Sequence, residues 1–183
     1  MTRARLAWAA WAIGLLVAGA APAQELGPLE IGGRNTLNLS GSVNTTTVGD
    51  STNGDLSILL AHVTQDARHE FGVGVTISGF ASDDLDSIFY TPFLSYRRNS
   101  GFFGPERNAL VYLGLQLGVQ VADLDDRPRQ TDAAGGVRIG LEYYFTPRVA
   151  VYGEDTLTVS GDPRDNDGAS VSNRVALGLR VVF

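Results

Sequence analysis

The stretch Val175-Ala-Leu-Gly-Leu-Arg-Val-Val-Phe183 decides the fold. In an extended strand, successive side chains point to opposite faces, so this stretch separates into two rows. One row holds Val175, Leu177, Leu179, Val181 and Phe183, and the other holds Ala176, Gly178, Arg180 and Val182, preceded by Arg174. A strand with apolar side chains outside and small or cationic side chains inside is typical of a transmembrane β-barrel. The alternative interpretation is an edge strand of a soluble protein.

The first residues have the pattern of a removable secretory signal. Arg3 and Arg5 precede an apolar run over 6–20, which leads into the small-residue cleavage pattern Ala21-Pro-Ala23. The run is roughly 15 residues long, shorter than the ~20 that span a bilayer as a helix, so a retained anchor is the less favoured alternative. We therefore predict a signal peptide over 1–23, a short periplasmic N-terminal tail over 24–34 and a barrel over 35–183.

The composition excludes several classes of site. The sequence has no cysteine, so it offers no disulfide, no lipoprotein attachment point and no thiolate metal ligand. Without the signal segment, 12 basic residues remain (14 minus Arg3 and Arg5) against 20 acidic residues, a net charge of about −8 with neutral histidines. Nucleic acid is therefore not expected as a partner.

Alternation between apolar and polar side chains recurs along the sequence and predicts seven further strands. The predicted strands cover 35–44, 56–64, 71–78, 87–97, 111–121, 136–145, 149–159 and 175–183. The second is too uniformly apolar for its two faces to be distinguished. Segments of about ten residues suit tilted strands that cross the hydrocarbon layer, and eight strands suffice to close a small barrel. We predict an all-β fold, an eight-stranded antiparallel up-and-down transmembrane β-barrel.

The lengths of the connections predict the orientation of this barrel, because outer-membrane barrels place short turns in the periplasm and longer loops outside. The stretches 65–69 and 146–148 are interpreted as periplasmic turns, and the connection over 99–107 is longer than such a turn should be. The predicted outer loops cover 45–55, 81–86, 123–132 and 160–169.

The polar rows of the strands predict a charged barrel interior. It would receive Arg138, Glu142, Glu154, Arg174 and Arg180, with Gln116, Gln120, Tyr112, Tyr144 and Tyr152 available for hydrogen bonds. A barrel this narrow is filled by side chains, and buried charges persist only when they are paired. The favoured interpretation is a structural plug of Arg–Glu ion pairs, and the alternative is a gate for protons or small ions.

The sequence resembles the small eight-stranded outer-membrane barrels of Gram-negative bacteria, typified by OmpX and by the membrane domain of OmpA. The resemblance lies in the signal segment, in the stretch 140–154 (GLEYYFTPRVAVYGE) and in the last strand. Gly178, Val181 and the aromatic Phe183 are similar to the C-terminal assembly signal of these proteins. The resemblance implies location in the cell outer membrane, with outer-membrane lipid, lipopolysaccharide and the barrel assembly machinery as partners. It implies no activity, because related barrels serve as adhesins, enzymes, channels and structural proteins.

Two classes of function follow from this interpretation. One is a structural or surface-interaction barrel whose outer loops contact a host or environmental ligand, and the other is a narrow porin-like channel for small solutes or ions. Catalysis is not expected, because only His62 and His69 could act as a base. His69 falls in a predicted periplasmic turn, and His62 has no serine or acid at a recognised spacing. The stretch 162–168 is only loosely similar to a calcium loop, since Pro163 stands at the first ligand position. No catalytic, cofactor or metal site is predicted.

Two residues do not fit the strand scheme. Pro92 interrupts the fourth strand, where it removes a hydrogen bond from the ladder. Asp155 shares its parity with Val151 and Leu157, so it would face lipid unless a β-bulge near Gly153 turned it inward. We predict such a bulge.

Overall fold

Eight antiparallel strands form a closed barrel in the computed structural model, which describes residues 30–46, 51–81, 86–124, 130–161 and 170–183. The strands are β1 (Asn35–Thr46), β2 (Ser51–Val63), β3 (His69–Ala81), β4 (Asp86–Asn99), β5 (Ala109–Leu124), β6 (Gln130–Thr146), β7 (Val149–Gly161) and β8 (Ser170–Val182). Each strand pairs with its neighbours in the sequence, and β1 pairs with β8, so the predicted all-β up-and-down barrel is confirmed. Among the described residues, no helix has the length and apolar character needed to cross a bilayer.

The barrel is apolar outside and polar inside. On β5, Leu113, Leu115 and Leu117 are 57%, 51% and 69% exposed, while Gly114 and Gln116 between them face the interior. A water-soluble barrel of the lipocalin type would bury such aliphatic rows in its centre. The observed arrangement is instead the one that a hydrocarbon surrounding requires.

Several strands begin earlier than the sequence pattern predicts. β2 begins at Ser51, so Asp55, which the prediction placed in an outer loop, lies in the strand and faces the interior. β3 begins at His69, which the prediction placed in a turn, and Glu70 is therefore also an inward-facing strand residue. These predicted boundaries were wrong because apolar alternation marks only the part of a strand that crosses the hydrocarbon layer.

Three short connections meet at one end of the barrel, which we call the short-turn end; they cover 64–68, 100–108 and 147–148. In the first, the Thr64 hydroxyl donates a hydrogen bond to Asp66 Oδ1 at 2.5 Å, and the Arg68 N–H donates to the same oxygen at 3.0 Å. These two hydrogen bonds lower the pKa of the Asp66 carboxyl below its ordinary value. The connection is thus fixed by its own side chains, as expected of a tight turn.

An apolar cluster closes the interior at the short-turn end. Its buried members include Ile31, Val63, Leu110, Tyr144 and Val182. Phe102, from the connection between β4 and β5, packs edge-on against Tyr144 with ring centroids 5.5 Å apart. This connection is longer than a turn because it folds back over the barrel mouth, where Phe103 forms a β-bridge with Ala109.

Pro92 lies within β4, where it interrupts the pairing with β5 as predicted but does not end the strand. The ladder between β4 and β5 has no residue pairs at Thr91 and Pro92, and it resumes at Phe93↔Gly118 in the same register. The missing N–H of proline therefore removes pairing locally but leaves the path of the strand unchanged.

The predicted bulge near Gly153 was wrong. β7 keeps an unshifted register with both neighbours through this region, and Asp155 lies opposite Ile139 on β6 and Val175 on β8. Within the described parts of β6 and β7, the register shifts at Tyr144/Thr146, beside the 147–148 turn. Asp155 is consequently exposed on the outer face of the barrel. It lies among the outward apolar side chains of the strands, which we call the apolar belt.

Candidate functional site

Four charged side chains from four strands meet inside the barrel and form what we call the charged ring: Glu70, Arg97, Glu142 and Arg180. Arg180 Nη2 lies 2.7 Å from Glu70 Oε2, and Arg180 Nη1 lies 3.2 Å from Glu142 Oε1. Arg97 Nη2 lies 3.0 Å from Glu70 Oε2, and Arg97 Nη1 contacts Glu142. Each arginine therefore bridges both glutamates, and all four residues are buried.

Polar and aromatic neighbours hold the charged ring in place. The Tyr144 hydroxyl donates a hydrogen bond to Glu142 Oε2 at 3.0 Å, and Arg180 Nη1 donates to Asn38 Oδ1 at 3.4 Å. The Arg97 guanidinium carbon lies 4.4 Å from the centroid of the Tyr112 ring, within range of a cation–π interaction. These contacts offset part of the desolvation that four buried charges suffer.

Two further ion pairs lie between the charged ring and the opposite end of the barrel. Arg138 Nη1 lies 3.4 Å from Glu154 Oε2, which also accepts a hydrogen bond from the Tyr112 hydroxyl at 2.7 Å. Arg174 pairs with Asp55, which also accepts a hydrogen bond from the Ser42 hydroxyl. Together with the ring, these interior ion pairs combine four arginines with four carboxylates, so their charges balance.

The two predicted glutamines also face the interior. Gln116 Nε2 donates a hydrogen bond to Thr158 Oγ1 at 3.4 Å, and Gln120 lies opposite Asp132 of β6. A polar cavity of about 10 Å³ borders Gln116, Arg138 and Glu154. That volume holds roughly one water molecule, so little free space remains at this point of the interior.

The structure places all five charged residues predicted for the interior inside the barrel, but it does not gather them into one group. Glu142 and Arg180 belong to the charged ring, Arg138 pairs with Glu154, and Arg174 pairs with Asp55. Sequence reasoning missed three participants: Glu70, Arg97 and Asp55. For Glu70 a signal existed, because it shares the parity of Gly72 and Gly74 on the inward row of β3.

The residues that resemble an assembly signal lie at the short-turn end of β8. Gly178 faces inward beneath the ring of Tyr152, where a Cβ atom would collide with that ring and with the Leu39 carbonyl. Val181 lies on the outward row between Leu37 and Val149. The Phe183 N–H donates a hydrogen bond to the Asn35 carbonyl at 2.9 Å, which helps to join β8 to β1.

The two histidines lie on the outer face of the barrel. His62 Nδ1 is 2.9 Å from Asn35 Oδ1, and His69 Nδ1 is 2.9 Å from the Tyr96 hydroxyl. In the part of the chain that the structure describes, no three His, Cys, Asp or Glu side chains are grouped so that they could hold a metal ion. The 162–168 stretch, considered above as a calcium loop, lies outside the described residues.

Two solved structures share this architecture. Neisserial surface protein A (NspA) matches with a TM-score of 0.62 and 20% sequence identity, over 82% of this chain and 96% of that chain. The N-terminal β-barrel domain of Pseudomonas aeruginosa OprF matches with a TM-score of 0.51 and 15% identity, over 83% of this chain and 98% of that domain. No protein-family model and no curated protein matches the sequence. The chain thus has the fold of the small eight-stranded outer-membrane β-barrels, as the resemblance in its sequence implied.

Proposed function

We propose that this chain is a bacterial outer-membrane β-barrel with a structural or surface-interaction role, whose lumen is plugged by Arg–Glu ion pairs. The observation that carries the proposal is the charged ring, in which Arg97 and Arg180 each bridge Glu70 and Glu142 across the interior. An ion that passed through would have to displace charges that are buried and already paired. Such displacement is costly in a medium of low dielectric constant.

The closed short-turn end supports the same role. Ile31 and Tyr144 are fully buried there, and Phe102 packs against them from outside the strands. A solute would meet this apolar cluster after passing the charged ring. The charged ring opposes the passage of an apolar solute, and the apolar cluster opposes the passage of an ion. Neither kind of solute therefore has a continuous favourable path through the barrel.

The apolar outer rows and the fold shared with NspA and OprF support an outer-membrane location. Outer-membrane lipid and lipopolysaccharide would then surround the belt, and the barrel assembly machinery would insert the chain by way of Gly178, Val181 and Phe183. Residues 1–23 would serve as the signal peptide and 24–34 as a periplasmic tail. Fractionation of cell membranes, with heat-modifiable migration on a gel as the sign of a folded barrel, tests this location. Recovery of an unmodifiable protein in the soluble fraction would overturn it.

The surface-interaction part of the proposal concerns the loops opposite the short-turn end. One structural relative carries the name of a surface protein. The predicted loops lie partly outside the described residues, and their aspartate-rich sequence is the basis for expecting a host or environmental ligand there. We propose no enzymatic activity, no cofactor and no interaction with nucleic acid.

Planar bilayer recordings separate a plugged barrel from a narrow porin-like channel. We expect the purified protein to show no steady openings, because the charged ring fills the interior. The matched variants are Glu142→Gln in the ring and Glu106→Gln, which makes the same substitution at an exposed glutamate of the 100–108 connection. The plug would be refuted if the unaltered protein showed steady openings. If Glu142→Gln abolished those openings and Glu106→Gln preserved them, the protein would be a gated channel.

A further inference from the structure

One face of the barrel wall, formed by β7, β8 and the adjoining part of β1, carries groups that hydrocarbon cannot satisfy. We propose that this face is an interface between two copies of this chain in the membrane. The inference rests on the membrane location proposed above and adds a partner to it. Three observations carry it: an outward carboxyl group at mid-strand, an incomplete strand ladder, and a gap in the apolar surface.

Asp155 supplies the first observation. It lies six residues from each end of β7 (Val149–Gly161), which places it roughly 20 Å along the strand from both ends. Its lateral neighbours, Ile139 and Val175, are apolar and exposed. Asn173, one outward position further along β8, is also exposed. Neither polar side chain makes a hydrogen bond or ion pair with the residues that the structure describes. An ionisable side chain at such a depth indicates a functional contact.

The seam between β1 and β8 supplies the second observation. Its ladder runs from Thr36↔Val182 to Gly41↔Leu177 and ends there. Both strands continue, since β1 stays paired with β2 as far as Thr46 and β8 stays paired with β7 as far as Ser170. The segments 42–46 and 170–176 therefore have no ladder with each other among the described strands. Backbone N–H and C=O groups left open toward lipid cost several kcal/mol each, so this edge needs polar cover.

Gly153 supplies the third observation. It faces outward beside Leu177, and a Cβ atom placed on it would meet only the Leu177 side chain, at 3.7 Å. The backbone φ angle of Gly153 is not positive, so neither its conformation nor a close contact with the described residues requires a glycine there. Leu177 has Gly153 on one side and Gly41 on the other, so this part of the belt is a projecting leucine between two gaps. A surface of this shape accepts an equivalent leucine from a partner.

A second copy of the chain fits these three features together. Lipid tails offer no hydrogen-bond donors, so a protein must cover the polar groups. Two copies inserted in the same direction are related by a two-fold axis along the membrane normal, which brings identical faces together at the same depth. Asn173 can then donate its amide N–H to Asp155 of the other copy, and the reciprocal hydrogen bond forms by symmetry. No cation is needed for this pairing.

Cysteine cross-linking in membranes tests the interface directly, because the chain has no cysteine of its own. Val175→Cys lies on the proposed face, and Leu117→Cys is its matched control on β5; the two native side chains are 67% and 69% exposed. We expect Val175→Cys to give a disulfide-linked species of twice the monomer mass, and Leu117→Cys to give only traces. Adding Asp155→Leu or Gly153→Leu to Val175→Cys should reduce the linked species at least tenfold, and adding Asp155→Asn should preserve it.

Heat-modifiable migration of every variant shows whether the barrel still folds, so loss of dimer is separable from loss of fold. If Val175→Cys links no better than Leu117→Cys, or if Asp155→Leu leaves the linking unchanged, the interface is refuted. A cross-linked species that contains a different protein would mean that this face binds another partner. That result would also overturn the proposal. If the protein proves not to reside in the outer membrane, the proposed function fails, while linking of the detergent-purified barrel still decides the interface.

Discussion

Replacing Arg180 with methionine should lower the free energy of unfolding of the barrel by about 3–5 kcal/mol. Arg180 is fully buried and bridges Glu70 and Glu142. Without it, two carboxylates share Arg97 in a site that water does not reach, so one buried charge loses its partner. Methionine has a similar length, which limits the loss of packing. Denaturant unfolding in detergent micelles, followed by the gel shift between folded and unfolded forms, measures the change.

The control for this variant is Arg148→Met, which makes the same substitution at an exposed arginine in the 147–148 turn and should change stability by less than about 0.5 kcal/mol. The double variant Arg180→Met/Glu70→Gln removes one charge of each sign, so it should recover part of the lost stability. If Arg180→Met is no more destabilising than Arg148→Met, the charged ring does not hold the barrel together.

The strand order was predictable because alternation survives wherever one face of a strand is uniformly apolar. The outward rows of β5 and of β8 from Val175 onward are of this kind, and the inward rows beside them contain Gly, Gln and Arg. β2 could not be resolved because Leu59 and Ala61 on its inward row are also apolar. They are buried with Phe93 against β3, where Gly72 and Gly74 leave room for them. An apolar patch inside the lumen thus removes the contrast on which the prediction depends.

The charged ring was only half predictable, for a different reason. Parity within one strand tells which side chains face inward, but it does not tell which inward residues reach each other across the barrel. That depends on the registers of all the intervening strand pairs. Arg97 shares the inward parity of Ser95 on β4, yet its contact with Glu142 of β6 spans the lumen and skips β5, so the sequence did not indicate it. For Asp155, parity within the strand was sufficient, since it predicts the outward side chain that the structure shows. The β-bulge that was predicted to turn this residue inward is absent from the register of β7.

The second large effect is expected at Gly140, an inward-facing position of β6 beneath the ring of Tyr112. A Cβ atom there would collide with the Tyr112 ring, so Gly140→Ala must displace it. The displaced ring would weaken two interactions, the hydrogen bond from its hydroxyl to Glu154 at 2.7 Å and the contact of its face with Arg97 at 4.4 Å. Overpacking of this kind should lower the free energy of unfolding by about 1–3 kcal/mol.

The same unfolding measurement tests this steric explanation through two comparisons. Gly79→Ala is the matched control on β3, because a Cβ atom there has nothing within 4 Å, and its effect should stay below about 0.5 kcal/mol. In a Tyr112→Leu background the ring is absent, so adding Gly140→Ala should have little further effect. If Gly140→Ala costs the same with and without the Tyr112 ring, backbone preference rather than close packing explains the glycine.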